Sequence, residues 1–408
     1  MKILFLAYAC EPNRGSELGV GWKWPLYLSE DKDKEIFVIT RTNNKSKIED
    51  YWKDNICPEN LHFFYYDLSK GILWAKKYGM PINIYYALWL QGSSRFAQKL
   101  HQQFHFDMAH HITFGVFRDA CALYKLHIPY IIGPVGGGET TPISLLPLLT
   151  LKERLKEAVR SLANSLSLTS PLLHKNFNKA SLILSKTKET KRILRKWNDK
   201  ILVRLEIGIN NVSDELFRKK TNSFLYVGRF TYWKGYKLAL MAFQQYAEKH
   251  PCSTFTMIGR GNTDDIKSFA SNNNLEKQIK IIPWIEQSEL KKYYTSSSAM
   301  LFPSMHDSSG NVVLEALSFG MPVICLDCGG PSSILGEELV ELTVQTKGKN
   351  YKNIIDDIVS KMEKLTTNND FAINVGNKCI DRAKKMLWKE TISNTYKEII
   401  NRLFEIKK

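Results

Sequence analysis

The chain is short of the features that would set it apart from a large globular protein. It has seven cysteines in 408 residues, at positions 10, 57, 121, 252, 325, 328 and 379. So sparse and odd a set argues against a disulfide framework. Cys325 and Cys328 form one C-x-x-C with no second pair to complete a zinc site, and PVICLDCGG around them reads as a buried strand entering a turn. No apolar stretch reaches 18 residues, which excludes a transmembrane helix. The apolar run in MKILFLAYAC is halted by Glu11 and Pro12 before it attains the length of a secretory leader, so it reads as a first strand. No short-period repeat suggests a solenoid. Acidic residues are also scarce: 41 Asp and Glu against 57 Lys and Arg, a net charge of +16. Residues 1–205 carry +12 of this excess and residues 206–408 the other +4. A basic balance points to an anionic partner. The cations do not interleave with aromatics in a nucleic-acid motif, so no specific nucleic acid is expected. The chain reads as cytoplasmic.

Apolar runs alternate with amphipathic stretches. Strands are predicted at 2–9, 35–40, 61–67, 106–113, 129–135 and 180–186, and again at 223–230, 253–261, 278–285, 298–304 and 322–328. Helices are predicted at 237–250, 264–273, 287–297 and 311–320. The alternation implies parallel sheets covered on both faces. Its restart implies two doubly wound, Rossmann-like α/β domains, 1–205 and 206–387, with a linker near 206–222 and a central cleft between them. Residues 388–408 form an amphipathic helix expected to pack back on the first domain: Trp388, Ile392, Tyr396, Ile399, Ile400 and Leu403 recur at helical spacing. Two segments, 139–180 and 70–90, mix Lys and Arg with Leu, Trp and Tyr; they read either as ordinary surface helices or as elements that lie on anionic lipid.

Three segments carry chemistry. EPNRGSELGVGW follows the first strand. Gly15, Gly19 and Gly21 let backbone N–H groups approach a ligand, with a helix starting just after whose N-terminus favours an anion and Gly15 and Ser16 as candidate donor contacts. A plain flexible turn is the simpler reading; the segment is neither a dinucleotide fingerprint nor a P-loop. VGRFTYWKG sets Arg229 and Lys234 at a strand's carboxyl end, a fork and a point charge that suit a diphosphate if they are more than solvated surface cations. In PSMHDSSGNVVLEALSFGMPVICLDCGGP, Asp307 precedes a Ser-Ser-Gly turn, Asn311 starts a helix and Glu315 falls in its first turns. A carboxylate accepts from sugar hydroxyls while a helix N-terminus takes phosphate charge, so together they suit a nucleotide sugar. A salt-bridged helix residue is the alternative for Glu315.

This constellation resembles the family-four retaining nucleotide-sugar glycosyltransferases of GT-B fold, in their bacterial surface-polysaccharide branch. Their E-x7-E followed by A-x-x-x-G-x-P-V-I is matched by Asp307, Glu315, Ala316, Gly320, Pro322, Val323 and Ile324, with Asp in place of the first Glu. Gly228, Arg229, Lys234 and Gly235 match the upstream G-R-x5-K-G, and Ile258, Gly259 and Gly261 a strand-turn I-G-x-G. The resemblance implies that Arg229 and Lys234 hold the donor diphosphate, and that Glu315 accepts from the ribose. Asp307, Ser309, Gly310, Asn311 and Val312 would meet sugar and phosphates. FDMAHHITFGVFR and IIGPVGGGE resemble the same branch. They imply a catalytic His110, with His111 its rival, and acceptor-side contacts from Arg118, Gly136, Gly137, Gly138 and Glu139. A core histidine is the alternative for either His. Pro283 and Trp284 are the expected base contacts.

The implied activity is retaining transfer of a sugar from a UDP- or GDP-linked donor to a glycan or polyprenyl-linked glycan in capsule, lipopolysaccharide or exopolysaccharide synthesis. The nucleotide sugar is a co-substrate, and neither a cofactor nor a metal is expected. Asp31-Lys32-Asp33 has D-x-D spacing but lies in a charged loop. Work at the inner face of the plasma membrane is implied. A sugar-nucleotide epimerase of the same fold, or a catalytically silent binder of sugar nucleotides or anionic surfaces, are the competing readings.

Overall fold

Seven strands build a first sheet: β1 (Lys2–Ala7), β2 (Glu35–Arg41), β3 (Leu61–Tyr66), β4 (Met108–Ile112), β5 (Tyr130–Val135), β6 (Leu182–Ser185) and β7 (Ile201–Val203). In the computed structural model, which describes residues 1–213 and 222–405, they are ordered β3-β2-β1-β4-β5-β6-β7. A second sheet holds β8 (Ser223–Val227), β9 (Thr254–Ile258), β10 (Ile279–Ile282), β11 (Ala299–Leu301), β12 (Val323–Leu326) and β13 (Thr343–Val344), ordered β10-β9-β8-β11-β12-β13. Every strand pairing is parallel. Parallel strands need helical crossovers and both faces covered, so the strands read as unbroken apolar runs.

β1 shows how each face is filled. Ile3, Phe5 and Ala7 point into one cluster with Val20, Trp24 and Met108. Leu4, Leu6 and Tyr8 point into the other with Tyr85, Tyr86 and Trp89. The period of two in a strand produces this split. The Trp388–Ile400 helix completes the first cluster with Trp388, Ile392, Tyr396 and Ile399. At about 1.5–3 kcal/mol per fully buried large side chain, those residues anchor the C-terminal segment firmly.

The chain divides into two compact units, 1–138 with 162–207 and 388–408, and 139–161 with 208–387. Residues 139–161, placed in the first domain by the expected 1–205 boundary, are the departure. Residues 139–161 belong with the second unit, because Thr141 and Glu157 bond each other, Glu157 bonds Tyr232 and His306, and Ser144 bonds the Thr346 carbonyl. Part of the expected linker, 214–221, lies outside the described residues. The short edge strands β7 and β13 were not predicted; three and two residues are too few to show a period. No described helix is long and apolar enough to cross a membrane.

Candidate functional site

In the second sheet the chain runs outward from β8 to β10, then returns to β11 on the other side of β8. The loops after β8 and β11 therefore meet at a topological switch point, where open parallel sheets bind ligands. They are laced together. Trp233 O accepts from the Met305 N–H (2.8 Å) and the Ser304 hydroxyl (3.0 Å). Gly235 has φ +73°, and a Cβ there would lie 1.9 Å from Pro303 O, so only glycine allows this approach. Lys234 and Asp307 form an ion pair across the same seam, both largely buried. The two residues expected at the donor are thus each other's partner. Arg229 is different: it is exposed, and no ion pair or side-chain hydrogen bond engages it among the described residues.

The Asn311–Ser318 helix starts from Gly310, whose φ of +87° is left-handed, and no side chain caps it. The N–H groups of Gly310, Asn311 and Val312 meet no acceptor among the described residues. Asn311 Oδ1 is buried without a partner. Glu315 is four residues on, hence on the same face as Asn311. Its Oε1 accepts from Gln287 (2.9 Å) and its Oε2 from the Tyr294 hydroxyl (3.2 Å). Burial pushes the Glu315 carboxyl up to about 7, with the two hydrogen bonds opposing. It is therefore not the salt-bridged residue of the alternative reading. Ser309 lies between Asp307 and this helix, with its N–H 3.5 Å from Asp307 Oδ1. Trp284, past β10, is half exposed with Arg260 5.0 Å over its ring. The second unit thus groups one free cation, a paired cation, an uncapped helix N-terminus and a protonatable carboxyl.

Glu157 and His306 were not foreseen. Glu157, from the Leu151–Ser167 helix, accepts from the Tyr232 hydroxyl (2.7 Å), from His306 Nε2 (3.0 Å) and from Thr141 (3.0 Å). Burial works against its charge, but these bonds outweigh that and lower the carboxyl to about 2. Trp233 stacks on His306 at 5.9 Å. Tyr232 and His306 adjoin the loop residues Lys234 and Asp307, so Glu157 braces both loops. The pair is 149 residues apart in sequence, and no local pattern announces it.

In the first unit the switch point lies between β1 and β4. Gly15 and Ser16 are exposed at the start of the Ser16–Leu28 helix. The loops here are joined by Ala9 N–H to Thr113 Oγ1 (3.2 Å) and Phe114 N–H to Glu17 Oε2 (2.8 Å). Buried Lys186 reaches Glu17 (3.2 Å) and Glu206 (2.7 Å). Burial alone would depress its charge, yet the two carboxylates hold it above the usual lysine range. Lys186 too was missed by the sequence.

The catalytic role expected of His110 is corrected here. Its Nε2 donates to Gly133 O (2.7 Å) and its Nδ1 accepts from the Tyr396 hydroxyl (2.6 Å), inside a cage of Phe5, Trp24 and Tyr396. It is fully buried, and burial lowers it to about 3, so it is a neutral core histidine with no nitrogen to offer a substrate. His111 points to the opposite face. Its Nε2 pairs with Tyr86 (3.0 Å), its Nδ1 has no partner, and burial lowers it to about 4. Glu139 is buried, not presented as a surface contact. Arg118 bonds Asn164 Oδ1, and Asn164 in turn donates to Gly137 O (2.9 Å). Gly136 pairs with Gly115 (2.7 Å) and Gly138 with Thr190 (3.1 Å), so these glycines pack loops closely. Asp31 is tied to Lys34 and to the Asp33 N–H within its own loop.

Comparison with known proteins follows the same division. Residues 210–386 match the model of the glycosyl transferases group 1. An uncharacterized glycosyltransferase of Methanocaldococcus jannaschii is 25% identical over 256 residues, 62% of this chain and 58% of that protein. The chain spans about half the length of the curated relatives it matches. Among solved structures, the lipopolysaccharide outer core galactosyltransferase WaaB in apo form superposes with a TM-score of 0.64 at 14% identity, over 99% of this chain and all of that one. Anabaena HepE in complex with UDP superposes with a TM-score of 0.58 at 15% identity, also over 99% and 100%. Such identities establish the fold. The chain has the GT-B fold of two parallel-sheet α/β domains, and its residues 210–386 are similar to the glycosyl transferases group 1.

Proposed function

We propose that the protein is a retaining glycosyltransferase that moves a sugar from a nucleoside-diphosphate sugar to a glycan or polyprenyl-linked glycan of a bacterial surface polysaccharide. The observation that carries this is the pairing of two features on the neighbouring β8 and β11 loops: an exposed Arg229 without an ion pair among the described residues, and an uncapped helix N-terminus at Gly310–Val312 with the orphaned Asn311 Oδ1 and Glu315 on one helix face. A diphosphate satisfies the cation and the N–H groups together. The ribose hydroxyls donate to Glu315, and Asp307, Ser309 and Val312 line the sugar end. The UDP held by HepE supports a uridine donor, and the lipopolysaccharide outer core galactosyltransferase WaaB supports a lipopolysaccharide-type acceptor.

Chemically, the bond from the anomeric carbon to the diphosphate oxygen breaks as the acceptor oxygen attacks the same face. The departing phosphate oxygen takes the acceptor's proton. Arg229 and Lys234 stabilise the charge that develops on the leaving group, and the helix N-terminus adds to it. Gly15 and Ser16, at a second helix N-terminus, are further donor contacts in this reading. Arg118, His111 and Gly136–Gly138 are left to the acceptor side. The working place is the cytoplasmic face of a membrane, where the basic first half of the chain meets anionic lipid. Exposed Trp74 and Tyr78 beside Lys76 and Lys77 support that location.

The test is a panel of nucleotide sugars scored by thermal shift and nucleotide release for wild type and Glu315→Ala. A ligand that binds only the folded state raises its melting temperature. Stabilisation by one nucleotide sugar, lost in Glu315→Ala, is expected. No response to any nucleotide would overturn the transferase reading.

A further inference from the structure

The Leu151–Ser167 helix is built inside out. Leu151, Leu155, Val159, Leu162 and Leu166 are 83%, 65%, 58%, 59% and 61% exposed. At about 100° per residue they fall within an arc of roughly 80°. The opposite face is polar and buried: Glu157 is 7% and Asn164 4% exposed. Glu157 is held by Tyr232, His306 and Thr141, and Asn164 by Arg118 and Gly137. A helix on a protein surface normally buries its apolar stripe and shows its polar face to water. Here five aliphatic side chains form one exposed apolar face, of the kind that marks an interaction site.

The surroundings identify what covers it. Lys152 and Lys156 border the stripe on one side and Arg154 on the other. Of the helix's acids, Glu157 is turned inward and engaged. The 31 residues from Ala158 to Lys188 contain no Asp or Glu. Cations flanking an aliphatic stripe match an anionic headgroup layer over acyl chains. A second copy of the helix fits less well. The positions beside the seam, Lys156, Ala158, Ala163 and Ser165, offer no opposite charges to pair, and the seam is shorter than the three to four heptads of a coiled coil.

We propose that the Leu151–Ser167 helix lies flat in the headgroup–acyl boundary of an anionic bilayer and inserts Leu151, Leu155, Val159, Leu162 and Leu166. This rests on the membrane location proposed above and names the element responsible. The test is flotation of the full chain with vesicles of phosphatidylcholine plus phosphatidylglycerol, and with phosphatidylcholine alone. Wild type is compared with Leu155→Gln/Leu162→Gln/Leu166→Gln, with the single Leu162→Gln as a milder variant. Wild type should float with the anionic vesicles. The triple variant should bind about tenfold more weakly or worse, with an unchanged melting temperature, and the single variant should fall between. Equal flotation of wild type and triple variant would overturn the assignment while leaving a membrane-bound enzyme. Failure of the wild type to float would overturn both. A solution dimer abolished by the triple variant, without lipid binding, would give the face to a second copy and overturn the proposal.

Discussion

Replacing Glu315 with Gln should stabilise the ligand-free protein at alkaline pH and abolish its response to a donor. Burial holds the Glu315 carboxyl at about 7, against an ordinary value of 4.5. The folded state therefore binds a proton more tightly than the unfolded chain does. Its stability falls as pH rises from the unfolded value through 7, because ionising a desolvated carboxyl is costly. A gap of about 2.5 pH units has a ceiling near 3 kcal/mol, and the solvent that still reaches a half-buried carboxyl lowers this to about 1–2 kcal/mol. Gln preserves the shape. Its amide oxygen accepts from Gln287 and its NH2 donates to the Tyr294 oxygen. The melting temperature of Glu315→Gln should equal that of wild type near pH 4.5 and exceed it by about 3–6 °C at pH 8, for a unit of this size. A donor whose ribose hydroxyls bond the carboxylate should bind wild type more tightly from pH 6 to 8 and release a proton on binding, which calorimetry in two buffers measures. Gln should show neither effect. A melting-temperature difference that is flat with pH would refute the desolvation argument. A pH-dependent difference without donor linkage would refute only the ribose contact.

Further outcomes follow from the same geometry. Arg229→Ala should weaken a nucleoside-diphosphate sugar about tenfold or more, since a charge-assisted fork is lost, while thermal melting stays unchanged; titration calorimetry and melting curves check both. Glu157→Gln should lower stability by about 1–3 kcal/mol at pH 7, since bonds to a buried charge are lost. Its carboxyl lies well below the ordinary value, so that contribution is present above pH 4.5 and fades as pH falls toward 2; urea melts across that range measure it. His110→Ala should cost about 2–4 kcal/mol, by opening a cavity among Phe5, Trp24 and Tyr396 and stranding the Tyr396 hydroxyl. The folded fraction should keep wild-type donor affinity, and a selective loss of that affinity would restore the catalytic role denied to His110 here.

The legible parts of this protein were those with a local cause. The long strands and helices carry a period of two or 3.6, and the run from β8 to β12, with its motif loops after β8 and β11, follows from that alternation. The backbone settings of Arg229, Lys234, Asp307 and Glu315, near a strand end or a helix start, were legible because each is written in the residues beside it. Edge strands β7 and β13 were too short for a period to exist.

The sequence alone settled the α/β class, the order of elements and the loops that bear charge, because periodicity and turn chemistry act within a few residues. His110 and His111 are neighbours in a strand and so face opposite ways. Which face is sealed was decided by Tyr396, 286 residues away, closing over His110. Tertiary structure likewise set the Lys234–Asp307 pair, brought Glu157 to His306, and sent 139–161 to the second unit. It also turned the polar side of the Leu151–Ser167 helix inward. An amphipathic pattern says that a helix has two faces, but which face meets protein depends on the partners waiting there, and those are placed by contacts remote in sequence.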